Sequence, residues 1–150
     1  CDSDIEESYR PKECIEGTSG PTALEIAQAA LVTAQDNLTV AQAAVTNYMA
    51  LNSAAWETLP DGRPKVESGW NSGLTSDQYN LKLAEYCRLM SPYFTSVGNT
   101  YQAERYAGYV DYFLNRAGTL GTGYRDTVQA AADAAQAVAD AQQAVIDLGG

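Results

Sequence analysis

No histidine occurs anywhere in these 150 residues. The chain therefore lacks the side chain most used for proton transfer near neutral pH, which is also the commonest metal ligand. It has no glycine-rich phosphate loop, no serine set in a nucleophile elbow, and no Cys-x-x-Cys or Cys/His spacing that would hold zinc. No catalytic residue, cofactor site or metal site is assigned, and the protein is expected not to be an enzyme. Bases are scarce as well, nine Lys and Arg against nineteen Asp and Glu, for a net charge of −10. Such a surface repels phosphate backbones and anionic membranes, so direct nucleic-acid binding is not expected. No run of about 18 consecutive apolar residues exists, so no transmembrane segment is expected. Bulky aromatics are few apart from tyrosine: two Phe and two Trp against ten Tyr.

The charge is unevenly spread. Residues 1–20 hold six acids and two bases. Residues 22–53 hold only Glu25 and Asp36, and residues 126–150 hold Asp126, Asp133, Asp140 and Asp147 with no base. The middle, 54–125, carries seven of each sign. The three cysteines make an odd count. Cys87 lies in a helical pattern beside Leu83 and Met90 and is expected to be a small buried hydrophobe. Cys1 and Cys14 lie in the acidic tail, where they are candidates for a disulfide, with each other or across subunits. A chain opening on Cys1 fits removal of an initiator Met. It also fits a processed lipoprotein carrying its lipid on that residue.

Two stretches repeat every seven residues and consist largely of alanine and glutamine. Residues 27–47 read AQAALVT, AQDNLTV, AQAAVTN, and residues 130–150 read AAADAAQ, AVADAQQ, AVIDLGG. A seven-residue apolar period winds one helix about another. In the first stretch Leu24, Leu31, Leu38 and Val45 share one inward position, and Ala27, Ala34, Ala41 and Tyr48 share the next. In the second, Ala131, Val138 and Val145 alternate with Ala134, Ala141 and Leu148. These fourteen residues are the predicted helix–helix seam. The arms are expected to pair antiparallel within one chain, although packing on separate subunits satisfies the pattern too.

Residues 1–20 read as an extended N-terminal arm, and residues 21–150 as an all-α, elongated helical bundle. A capping box, Thr22 with Glu25, opens a helix over about 22–53. Pro60-Asp61-Gly62, Pro64, Gly69 and Gly73 predict a loop over 54–75, in which a short hairpin is possible and which Trp56, Val66 and Trp70 anchor. A second box, Thr75 with Gln78, opens a helix over 76–90. Ser91-Pro92 predicts a break, with a third helix over 92–117. Gly118, Gly121 and Gly123 predict another break before a fourth helix over 124–148. Trp56, Trp70, Tyr101, Tyr106, Tyr109 and Tyr112 are candidates for an interface patch, since Tyr and Trp are favoured where one side chain must offer both apolar area and a polar tip.

Acidic, poor in lysine, rich in Ala, Gln, Thr and Tyr, and built of capped helices behind an extended arm, the chain resembles bacteriophage virion structural proteins. The resemblance is one of overall style, and it implies a neck or connector, decoration, or fibre or collar component. A multi-copy, homo-oligomeric assembly partner of itself or of neighbouring virion proteins would follow. Two other readings stay open: an envelope lipoprotein spacer in the periplasm, anchored through Cys1, and a small helical adhesin or carbohydrate-binding module using the Tyr residues and the Trp56–Trp70 loop.

Overall fold

The computed structural model describes residues 20–150. The N-terminal arm up to residue 19, with the disulfide candidates Cys1 and Cys14, lies outside the described residues. Those described are 74% helix without a strand, in four helices: α1 (Ala23–Leu51), α2 (Ser76–Ser96), α3 (Thr100–Arg116) and α4 (Gly118–Asp147). The all-helical expectation therefore holds, and two of its internal boundaries move.

Both capping boxes form. The Thr22 hydroxyl accepts from the Glu25 amide at 3.1 Å while the Glu25 carboxylate accepts from the Thr22 amide at 2.8 Å. Thr75 and Gln78 repeat the arrangement at 3.2 and 2.9 Å. Each box satisfies two amides that no helical carbonyl can reach.

The predicted break at Ser91-Pro92 does not occur, because α2 runs through Pro92 to Ser96. Proline removes one amide donor, yet Tyr93 and Phe94 just beyond it carry ring contacts that keep the last turn in place. The helix ends instead at Gly98, whose φ of +80° suits glycine. There the Asn99 amide reaches back to the Phe94 carbonyl at 2.8 Å and the Gly98 amide to Thr95 at 3.1 Å. Asn99 then caps α3, its side chain accepting from the Gln102 amide at 3.1 Å. α1 closes with the same pair of bonds, the Ala54 amide on the Met49 carbonyl at 2.7 Å and the Ser53 amide on Ala50 at 3.3 Å. Here a serine, Ser53, occupies the left-handed position with φ +60°.

The second correction is at the glycine triplet. Gly118, Gly121 and Gly123 lie inside α4, which begins immediately after the buried corner residue Ala117. Two of these glycines serve close approach. A Cβ on Gly121 would fall on the carbonyl oxygen of Leu114, and one on Gly123 would fall on the Tyr48 hydroxyl.

The fold divides into two compact units. Thr39–Asp133 form one, around a cluster of Met49, Ala54, Leu81, Ala84, Leu114, Ala117 and Tyr124. Leu81, Ala54, Ala84 and Ala117 are wholly buried; burying a leucine side chain is worth about 1.5–3 kcal/mol. α2 and α3 pack on each other in this unit, and the Ser91 hydroxyl donates to the Ala103 carbonyl at 2.8 Å. Tyr48 closes it from α1, its hydroxyl donating to the Leu120 carbonyl at 2.8 Å and its ring 5.7 Å from that of Tyr124. Among the described residues the other unit holds those up to Leu38 together with Ala134–Gly150. In it the chain end meets the first turn of α1: a Cβ on Gly150 would stand 2.8 Å from the Leu24 side chain.

Candidate functional site

The loop between α1 and α2 lies against α2, held by aromatic side chains. At its tip the Leu59 amide bonds the Arg63 carbonyl at 2.8 Å and the Lys65 amide bonds Glu57 at 2.7 Å. A single antiparallel bridge, Thr58 to Pro64, is what the possible hairpin amounts to. Below the tip the Trp56 indole donates to the Lys82 carbonyl at 2.8 Å. The Lys82 ammonium returns over the Trp56 ring, 4.8 Å from its centroid, and donates to the Trp70 carbonyl at 3.1 Å.

From this pin a belt of rings extends across α2 and α3. Tyr79 stacks on Trp70, which meets Trp56, which meets Tyr86, at centroid distances of 5.6, 5.1 and 5.5 Å. Tyr86 leads to Tyr106, where the belt forks: one branch passes to Phe94 and Tyr93, the other through Tyr109 and Phe113 to Tyr112. Each pair is worth about 0.5–1.5 kcal/mol beyond the area it buries. Cations cover the belt at intervals. Besides Lys82, Arg63 sits over Tyr93, Arg105 over Tyr109 and Arg116 over Tyr112. Asp61 holds Arg63 in place at 2.7 Å, and that guanidinium lowers the pKa of the Asp61 carboxyl.

Of the predicted patch residues, the structure joins Trp56, Trp70, Tyr106 and Tyr109 through Tyr86, and Tyr112 at the edge of the belt. Tyr101 is 73% exposed and touches none of these rings. Steps of three residues drift about 60° around a helix, so Tyr106, Tyr109 and Tyr112 turn progressively from the core toward solvent. The predicted patch did not include Tyr79, Tyr86, Tyr93, Phe94 or Phe113. The exact seven-residue spacing of Tyr79, Tyr86 and Tyr93 was the available signal.

Two shallow depressions flank the Trp pair. One, of about 220 Å³, is walled by Trp56, Val66, Trp70, Leu83 and Tyr86. The other, about 310 Å³, adds Glu57, Lys65, Glu67 and Lys82. A third, about 150 Å³, is lined by Val45, Thr46, Met49, Glu85, Arg88 and Tyr124. The Glu85 side chain beside it is only 9% exposed and is answered by a two-pronged bond from Arg88, at 2.5 and 2.8 Å. That carboxylate raises the Arg88 pKa, so the guanidinium stays charged. Among the described residues no group of three His, Cys, Asp or Glu is placed to hold a metal ion, and no helix is long and apolar enough to cross a membrane.

Cys87 is buried and free, as its helical setting suggested, and burial pushes its thiol up to about 11 from 9.0. The neutral thiol is the form the fold accommodates. Its contribution is present in full below pH 9.0 and is lost as the pH rises toward about 11. Tyr48, Tyr86 and Tyr124 are raised by burial in the same sense. Stability measured by urea titration is therefore expected to fall through this alkaline window. A maleimide at pH 8 is expected to label Cys87 only in denaturant; equal labelling of folded and unfolded protein would show the site open.

Along α1 the residues shielded from solvent between Ala23 and Tyr48 are Leu24, Ala27, Leu31, Ala34, Leu38, Ala41, Val45 and Tyr48, with Ala34 the most buried at 8%. Along the second half of α4 they are Ala131, Ala134, Val138, Ala141 and Val145. Leu148, just past the end of α4 at Asp147, is 46% exposed. Ile26, Val32, Val40 and Ile146 are more than half exposed.

Fold and surface together define an all-helical bundle protein with a cation-covered aromatic belt. No protein-family model, curated protein or solved structure matches the chain.

Proposed function

We propose that this protein is a non-enzymatic structural component of a multi-copy particle, of the kind found in bacteriophage virions, with α1 and α4 paired antiparallel along an alanine-rich heptad seam. The observation that carries the reading is the limited shielding of these two helices. α1 up to Tyr48 and the second half of α4 each hide a single stripe at three- and four-residue steps and leave the rest of their surface in water. The stripe is half alanine, so it removes little apolar area and, at about 25 cal/mol per Å², stabilises only modestly. Meanwhile Ile26, Val32, Val40, Ile146 and Leu148 remain available. A helix pair of this composition gains most when further subunits cover it, and multi-copy assembly supplies them. The contacts of Leu24 with the chain end, and of Tyr48 with Leu120, support the antiparallel sense.

Sedimentation velocity over a range of concentrations tests the proposal. Reversible association is expected, with the acidic component assembling on itself or on neighbouring virion subunits. A chain that stays monomeric throughout and with every candidate partner would remove the reading. Ala34→Asp puts a charge into the stripe and is expected to cost about 3 kcal/mol and to melt both helices early. Asp36→Ala, two residues away on the exposed side, is expected to leave the melting curve unchanged. Equal melting of the two variants would mean that the stripe is not a packed seam.

A further inference from the structure

Among the described residues nothing calls for the glycine in the middle of α3. Gly108 sits in the middle of the helix, exposed, and a Cβ built on it would meet nothing within 4 Å. Glycine weakens a helix interior, and no turn, positive φ or close neighbour calls for it here. Residues seven and four positions away share its face. On that face stand Tyr101 and Tyr112, 73% and 52% exposed, with Arg105 and Arg116 along one flank. Among the described residues neither arginine has a carboxylate within ion-pair distance; Arg105 bonds Gln102 at 3.3 Å and lies over Tyr109, and Arg116 lies over Tyr112. The opposite flank holds Glu104 and Asp111, the latter paired with Arg125 at 3.2 Å. A helical glycine between exposed tyrosines and arginines that have no carboxylate partner among the described residues is what a closely approaching, acidic, small-residue helix requires.

The chain contains such a helix. On α4, Gln129, Gln136 and Gln143 donate to Asp133, Asp140 and Asp147 at 2.9, 2.9 and 2.8 Å. Each carboxylate is thus held in one orientation with a second oxygen left open, and no cation pairs with it among the described residues. Beside this rail, at neighbouring helical positions, lie the exposed Ala130, Ala137 and Ala144. Carboxylates seven residues apart repeat at about 10.5 Å, and Arg105 and Arg116 stand about 16.5 Å apart along α3. Two flexible side chains, each reaching several ångströms, span one or two intervals of the rail.

We infer that the Tyr101–Gly108–Tyr112 face of α3 docks on the alanine strip of α4 in a second copy, with Arg105 and Arg116 meeting the Asp rail. The contact is heterologous, one face against a different one, and propagates from copy to copy. It rests on the multi-copy reading and names the contact that builds the assembly. The carboxylates are pre-positioned by their glutamines, so ordering them costs little on binding.

The test is sedimentation velocity on the full chain. Gly108→Ala is expected to raise the melting temperature and yet weaken association about tenfold, since the added methyl group stands in the contact. Asp133→Asn with Asp140→Asn, and separately Arg105→Gln with Arg116→Gln, are each expected to abolish association while leaving the circular dichroism intact. Mixing the two double variants is expected to restore a one-to-one complex, because each still holds the surface the other needs. Monomeric wild-type protein overturns both this contact and the multi-copy reading. Assembly undisturbed by the variants overturns this contact alone, and so does loss of assembly without rescue in the mixture.

Discussion

Gly121→Ala is expected to lower the melting temperature by about 10 °C, corresponding to about 3 kcal/mol of lost stability for a chain of this size. The new methyl carbon would land on the Leu114 carbonyl oxygen, with the Leu114 carbonyl carbon only 2.9 Å off. Both atoms are backbone, so no side-chain rotation relieves the clash. Leu114 and Ala117 are buried in the cluster around Leu81, so relief requires α4 to move off α3 at their corner, uncovering the centre of the unit. Thermal melting followed by circular dichroism measures this directly. A variant melting within about 2 °C of the wild type would show that the corner tolerates displacement.

Trp56→Ala is expected to cost about 3 kcal/mol, the lower end of the range for removing a large aromatic, because the indole is half-buried. The indole touches Trp70 and Tyr86, carries the Lys82 ammonium and donates to the Lys82 carbonyl. Its removal leaves Lys82 and Trp70 without the surface that joins them, and the loop from Asn52 to Thr75 loses its anchor on α2. Near-ultraviolet dichroism is expected to collapse while the helical signal changes little. Trp56→Phe separates the contributions: it keeps ring packing and loses the indole donor, and is expected to cost about 1 kcal/mol. Equal costs for the two variants would mean that the hydrogen bond, not the packing, holds the loop.

These two sites differ in how far the sequence displayed them. Trp56 stood out because a large aromatic in a proline- and glycine-rich stretch needs a surface to lie on, and the anchor expected from it is present. Gly121 did not, because glycine serves turns and close approach equally well, and three glycines within six residues read as punctuation. Only the position of the Leu114 carbonyl separates the two meanings. Pro92 misled in the same manner: its local preference is for a helix start, but packing of Tyr93 and Phe94 outweighs one missing hydrogen bond. The solvent-shielded stripes of α1 and α4 were legible since periodicity alone selects them, and the capping boxes because both partners lie within four residues. The aromatic belt was legible only in part. Its contacts join residues up to thirty positions apart, as Trp56 and Tyr86, and no local pattern encodes such a path. The Glu85–Arg88 pair has ordinary three-residue helical spacing, and nothing in that spacing marks the burial of Glu85.

The join between α3 and α4 is the lone residue Ala117. One extra amino acid inserted there would rotate the following helix by about 100° about its own axis, swinging Leu120 and Tyr124 away from the places they fill. At Asp61–Gly62, by contrast, the chain is exposed and the space beside Gly62 is empty, so added length bulges harmlessly into water. Chain length is therefore frozen at the corner and far less constrained at the tip, and an inserted peptide tag belongs beside Gly62, with that glycine kept for its φ of +92°.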